Sequence, residues 1–270
     1  MNWTFTKMNG AGNDFILLDN RSGTHRLEKS TLARLCDRHR GIGADGVLAV
    51  EVPTIAAVDF RMRYFNADGG EAEMCGNGAR CFARFAARLV SPRPSRISFE
   101  TAAGPIVALL EDDLVTLEMG TPGDYRAARH LEFGSGGGEV EFLNTGVPHA
   151  VVFVGRVADV PVVEHGRALR NHEVFAPRGT NVNFVEAASD RLLIRTYERG
   201  VEDETLACGT GVCAAALLHA QRTGALSPVA VQVRGGDILS VSFERSGDAS
   251  FSHVRLTGPA DFVFEGVVSL

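Results

Sequence analysis

Lysine is nearly missing from these 270 residues: Lys7 and Lys29 are the only two, and every other basic side chain is arginine. Enzymes that carry pyridoxal phosphate hold it through a lysine Schiff base, so that class has almost no residue to use. No apolar run approaches the roughly 18 residues of a membrane helix. The opening MNWTFTKMNGAGNDF lacks a basic stretch followed by an apolar one, so no secretion signal is expected. Positive charge is in deficit, with 27 Lys+Arg against 33 Asp+Glu and a net charge of −6, which argues against nucleic-acid binding through a basic face. Cysteine is sparse and odd in number: Cys36, Cys75, Cys81, Cys208 and Cys213. In a cytoplasmic chain that count reads as thiols rather than a disulfide framework. What is present, 45% hydrophobic and 22% charged residues, is the composition of a globular protein. The length suits two domains better than one, and the expected class is soluble and cytoplasmic.

One pattern is written twice along the chain. In the first half, strands are expected at 3–8, 15–19, 47–52 and 58–65, with a helix from Ser30 to His39 capped by Ser30. A second helix, Gly76–Val90, precedes strands near 96–100, 105–110 and 114–119. TPGDY (121–125) reads as a turn-rich boundary. The second half repeats the order: strands at 141–144 and 150–154, a helix at Pro161–Arg170, strands at 181–186 and 191–197, a helix at Gly209–Thr223, then strands near 229–233, 238–243 and 251–257. The closest internal match is YFNADGGEAEMCGNGARC (64–81) against YERGVEDETLACGTGVC (197–213). An offset of 133 lays Tyr64 on Tyr197, Glu71 on Glu204 and Cys75 on Cys208, which points to duplication. Residues 209–220 are nearly all apolar, and helix 77–90 confines Arg80, Arg84 and Arg88 to one stripe, so both helices belong inside a layer of strands. The expected fold is α+β, with two pseudo-symmetric halves, each a curved, mostly antiparallel sheet wrapped around a central helix. The halves are residues 1–120, carrying Cys75, and 121–257, carrying Cys208. Residues 258–270 either return to the first half or line a subunit contact.

Cys75 and Cys208 each open a helix and are followed by Gly-Asn-Gly or Gly-Thr-Gly. Unpartnered backbone N–H groups and the positive end of the helix dipole favour a thiolate there and can bind a carboxylate. Inverting a stereocentre by proton transfer needs a base on one face of the carbon and an acid on the other, with the roles exchanged in reverse. Two like groups in matched surroundings meet that need. This reading gives an amino-acid racemase or epimerase that works without cofactor. Cys36, Cys81 and Cys213 read as small buried hydrophobes. The cysteine spacings of six and five are unlike structural zinc sites, so no metal is expected. Gly41–Gly46 (GIGADG) matches a dinucleotide fingerprint in form, but follows a helix and precedes a strand, the reverse of the required order.

KMNGAGNDF (7–15), HRGIGADG (39–46), FNADGGEAEMCGNGARC (65–81), RGTNVNF (178–184) and YERGVEDETLACGTGVC (197–213) together resemble the diaminopimelate epimerase family nearly end to end. That family stands among cofactor-independent enzymes that include proline racemases and phenazine-biosynthesis isomerases. The resemblance implies the fold above and epimerisation of LL- to meso-diaminopimelate for lysine and peptidoglycan precursors, with Cys75 and Cys208 as the acid/base pair. It implies that Gly76, Asn77, Gly209 and Thr210 hold the reacting centre, and that Asn13, Asn66, Asn181, Glu198 and Arg199 bind chiefly the distal amino-carboxylate end. His149 and Glu198 match positions that modulate the thiols. The partners implied are a small amino acid and, in a homodimer, a second subunit with Phe264 as a candidate contact beside Phe262; no nucleic acid or membrane is implied.

One position departs from the family pattern. Residues 146–149 read Gly-Val-Pro-His where asparagine often precedes the proline, and Val147 cannot supply that side-chain hydrogen bond. Such a bond to a charged group is worth about 1.5–3 kcal/mol, so the substrate is less defined than the reaction class. The alternatives are a related racemase acting on proline, histidine or a broader set, a noncatalytic amino-acid-binding protein, and a thiol hydrolase using one cysteine.

Overall fold

Short apolar runs separated by glycine-rich turns make both units of this chain. The computed structural model describes residues 2–247 and 250–270. By contacts the chain divides into one unit running to Leu117 together with Gly258–Leu270, and a second, Glu118–Thr257. The first opens with β1 (Asn2–Gly10), β2 (Asn13–Asp19), α1 (Lys29–Cys36), β3 (Gly46–Glu51) and β4 (Phe60–Asn66). β5 (Glu71–Ala72), α2 (Gly76–Arg88), β6 (Arg96–Thr101), β7 (Gly104–Glu111) and β8 (Leu114–Glu118) follow. The second contains β9 (Gly123–Phe133), β10 (Gly136–Asn144), β11 (Pro148–Phe153), α3 (Val162–Arg170), β12 (Asn181–Ala187) and β13 (Leu192–Glu198). Then come β14 (Asp203–Thr205), α4 (Gly209–Thr223), β15 (Val229–Gln232), β16 (Ile238–Gly247) and β17 (Ser250–Pro259), and the chain ends on β18 (Asp261–Ser269).

The pairing is the same in both units. β1–β2 is antiparallel, β2–β3 parallel, β3–β4 antiparallel and β4–β6 parallel. β10–β11, β11–β12, β12–β13 and β13–β15 repeat that series. Parallel neighbours buried on both faces explain the apolar runs ILL in β2 and AVV in β11. In the first unit Ile16, Leu18 and Val47 pack toward α1 with Leu32 and Leu35. In the second, Ala150, Val152 and Phe184 pack toward α3 with Val162 and Leu169. The opposite faces cover α2 and α4, whose residues Ala79–Ala87 and Gly209–Leu218 are buried almost throughout.

Several expectations are adjusted. α1 begins at Lys29 with Glu28 as its N-cap, so Ser30 lies inside the helix. TPGDY is only briefly a break, because β9 starts at Gly123 and pairs with β10. The C-terminal segment is β18, antiparallel to β1. The arginine stripe of α2 is largely buried: Arg80 is 0% and Arg84 9% exposed. They reach the carbonyls of Pro259 and Ala260 at 3.2 and 2.6 Å.

Strand register also moves the internal superposition by one residue. Arg63 pairs with Glu71 at 2.8 Å and Arg195 with Glu204 at 2.7 Å, so the strands correspond at an offset of 132. Phe65, not Tyr64, is the counterpart of Tyr197: Phe65 lies opposite Glu71, and Tyr197 opposite Glu204. The offset of 133 holds only from Glu71 onward, through the two cysteines.

Candidate active site

In each unit a strand, a short hairpin and a helix deliver one cysteine. Cys75 is the N-cap of α2, with φ −138° and ψ 123°, and Cys208 is the N-cap of α4, with φ −125° and ψ 106°. Their carbonyls accept the first helical bonds, from Ala79 at 2.8 Å and Val212 at 2.9 Å. Neither helix has an acidic residue in its first turn, so nothing there offsets the positive dipole end. Cys75 is half-buried and Cys208 is 8% exposed. Burial pushes the Cys36 and Cys81 thiols up to about 12, which leaves them protonated.

Beside Cys75, Asn77 donates to Asn13 Oδ1 at 2.5 Å and accepts from Arg80 at 2.9 Å. Asn13 donates in turn to Asp45 at 3.1 Å. Arg38 links Asp14 and Asp45 at 2.7 and 2.9 Å, and Lys7 meets Asp14 at 2.5 Å and the Gly43 carbonyl. Burial raises the Asp14 carboxyl, but hydrogen bonds from Arg38 and Lys7 outweigh it and hold the group at about 2. This network fixes the β1–β2 turn against α2. Gly10 permits the approach, since a Cβ there would lie 2.7 Å from the Asn77 carbonyl oxygen. Asn66 is exposed at the end of β4, where its N–H meets the Gly70 carbonyl at 2.9 Å.

Beside Cys208, Thr210 Oγ1 lies 3.6 Å from the sulfur and 2.9 Å from His149 Nε2. His149 is 0% exposed; burial, aided by the Arg199 charge, lowers its pKa to about 3 and keeps the ring neutral. Asn181 donates to the Pro148 carbonyl at 3.0 Å and accepts from the Arg199 N–H at 2.9 Å, which positions the turn carrying Glu198 and Arg199. Burial raises the Glu198 carboxyl. Asn144, near Val147 in sequence, turns its side-chain oxygen to the Gly146 N–H at 3.0 Å.

The helix frames match, but the side chains behind the thiols do not. Sequence reasoning missed Asn183, Thr196 and Thr145, all buried. The available signal was polar residues alternating in NVNF, in a strand otherwise interior on both faces. It also treated Arg80 as one of a polar stripe, whereas the side chain holds Asn77 and the C-terminal backbone. Among the described residues, no cluster of three or more His, Cys, Asp or Glu side chains is placed to hold a metal ion. Among them too, no helix is long and apolar enough to cross a membrane.

A profile of the diaminopimelate epimerase family matches residues 5–123 and 142–263. The diaminopimelate epimerase of Chlorobaculum tepidum is 43% identical, covering 97% of this chain and all of its own. That of Aromatoleum aromaticum is 42% identical over the full length of both. Among solved structures, a hydroxyproline epimerase from Agrobacterium vitis superposes with TM-score 0.73 at 18% identity, covering 100% of this chain and 93% of that one. A phenazine biosynthesis protein of the PhzF family from Bacillus anthracis gives TM-score 0.75 at 14% identity, with both chains fully covered. At those identities the structural likeness shows the fold, which is the expected α+β architecture. The profile match and the end-to-end identity establish the narrower relation: the chain belongs to the diaminopimelate epimerase family.

Proposed function

We propose that this protein interconverts LL- and meso-diaminopimelate, with Cys75 and Cys208 as the acid/base pair. The observation that carries the reading is a cysteine at the N-cap of the central helix of each unit, in a chain 43% identical over its length to a diaminopimelate epimerase. In the reaction one cysteine, as thiolate, takes the α-proton. The C–H electron pair passes into the carboxylate-stabilised carbanion, and the other cysteine, as thiol, returns a proton to the opposite face. The enzyme then holds the thiol and thiolate exchanged, ready for the reverse direction. The amides of Gly76, Asn77, Gly209 and Thr210 are placed at helix N-termini, where they can hold the α-carboxylate and the charge that develops on it.

Arg199 is suited to the distal carboxylate and Glu198 to the distal ammonium, whose charge offsets the cost of burying the Glu198 carboxylate. Asn13, Asn66 and Asn181 complete that end; the amides of Asn13 and Asn181 each carry a second hydrogen beyond the one given to Asp45 or Pro148. This chemistry calls on the protein's own side chains and backbone amides, and its product feeds lysine and peptidoglycan precursor synthesis. We place the enzyme in the cytoplasm as a homodimer. The dimer reading is supported by Val263, Phe264 and Val267 of β18, which are 56, 48 and 64% exposed. Phe264→Asp should convert it to monomer in sedimentation analysis.

Purified protein given LL-diaminopimelate should form the meso isomer, resolved by chiral chromatography. Activity on proline or histidine with none on diaminopimelate would replace this reading with the related racemase that Val147 suggests. In heavy water, early solvent deuterium should enter mainly the newly formed isomer. Equal early labelling of recovered substrate would remove the two-base mechanism.

A further inference from the structure

The register that aligns the units sets three side chains of one against three of the other. Under Gly78 of α2 the first unit places Phe15 and Leu48, each with an atom 3.5 Å from where a Cβ would stand, and Tyr64 packs edge-on against Phe15 at 6.1 Å. Under Gly211 of α4 the corresponding residues are His149, Asn183 and Thr196. The first unit thus folds the same strands around its helix with mostly apolar groups at these places. Burying polar groups costs stability unless each is hydrogen-bonded, so packing does not require this trio.

The hydrogen bonds of the trio have a direction. The Asn183 amide nitrogen lies 3.0 Å from the Ala150 carbonyl and 3.1 Å from His149 Nδ1, and Thr196 donates to Asn183 Oδ1 at 3.0 Å. Reversing the amide would set two oxygens against each other at Ala150, so the orientation is fixed. One amide hydrogen goes to Ala150, and the other to Nδ1, which therefore accepts. A neutral imidazole that accepts at Nδ1 carries its proton on Nε2. Nε2–H donates to Thr210 Oγ1, and the threonine hydroxyl hydrogen is left to point at the Cys208 sulfur. Thr145 holds the same residue by its carbonyl at 2.8 Å.

We infer that Asn183 is a positioning residue: it selects the tautomer of His149 and thereby aims the Thr210 hydroxyl at Cys208. The inference rests on the proposed role of Cys208 as an active-site thiol. A hydrogen bond donated to sulfur favours the thiolate. The relay therefore biases Cys208 toward the base form. Arg199 is the charged group acting on the ring from the end of β13, and it reinforces the neutral state.

Nuclear magnetic resonance of the two ring nitrogens of His149 in the intact protein tests the tautomer. A proton on Nε2 is expected, and a proton on Nδ1 overturns the relay. Titration of Cys208, followed through isotope-labelled cysteine Cβ signals, tests its consequence. Thr210→Val should raise the midpoint by about one pH unit, the scale of one hydrogen bond to a charged group, while Thr210→Ser should leave it in place. Asn183→Asp, whose oxygens cannot donate, should move the ring proton to Nδ1 and raise the Cys208 midpoint similarly. If the aspartate variant fails to fold, the two threonine variants still decide, and an unchanged midpoint in Thr210→Val overturns the relay. These readings need no substrate. A protein inactive on diaminopimelate that still shows the threonine difference would defeat the functional reading and support the relay.

Discussion

A thiol at a helix N-cap owes its reactivity to its backbone address, so the two cysteines can be removed without dismantling the core. Cys75→Ala and Cys208→Ala should each lower kcat by about a hundredfold or more, the range of a lost general acid or base, with circular dichroism unchanged. Loss of the fold, or full turnover in either variant, would contradict the assignment. His149 offers a test in stability. Its ordinary pKa is 6.5, and burial holds it at about 3 in the fold. Between those values the unfolded chain binds a proton that the native protein does not. The stability His149 contributes is complete above 6.5 and is lost as pH falls through that window. Glu198, raised by burial, acts in the opposite sense, and Asp14, held at about 2, loses its contribution only at lower pH. His149→Gln should therefore flatten the fall of the urea midpoint between neutral pH and pH about 4, and an unchanged slope would refute the ring's buried, neutral state.

At the scale of elements, the two central helices share a frame but not their tolerance. A Cβ at Gly78 would meet Leu48 and Phe15 at 3.5 Å, ordinary contact, whereas one at Gly211 would lie 2.3 Å from Asn183 Oδ1. Gly78→Ala should be neutral or stabilising by up to about 1 kcal/mol through helix propensity. Gly211→Ala should cost about 1–3 kcal/mol by overpacking. Denaturant midpoints of the two variants check the difference. Both helices were legible in the sequence, α4 to the residue, because a long apolar run with cysteine-glycine at its start and Gly224 at its end leaves little choice. β9 was not legible. Its side chains are exposed along most of Gly123–Leu131, so no buried face imposes alternation, and its place comes from backbone pairing with β10. The start of α1 was misread because Ser30 is a good cap in isolation, while here the chain enters the helix at Glu28.

At the scale of the molecule, the ninth strand after each start is paired away from its own repeat. β9 follows β8 in sequence yet pairs with β10, and β18 follows β17 yet pairs with β1. The first unit is therefore completed by a strand that the chain delivers from beyond the second unit. β18 brings Val268 and Leu270 against the cluster of Trp3 and Phe5, and Phe264 meets Phe5 edge-on at 5.8 Å. Truncation after Pro259 should leave β1 with an unpaired edge and uncover that cluster. The expected product is insoluble or lacks near-ultraviolet circular dichroism; a soluble, native-like protein would show that β18 is dispensable.

Local pattern was enough to determine the duplicated order of elements and the two helices with cysteine at their starts, because both depend on neighbours a few residues away. Tertiary structure decided the rest. The offset of 132 rather than 133 in the strands, the burial of Arg80 beneath the returning backbone, and the direction of the bonds from Asn183 to His149 are set by residues far apart in the chain. A strand's register fixes which side chains face the helix, and a hydrogen bond's direction is fixed only when all the groups around it are in place.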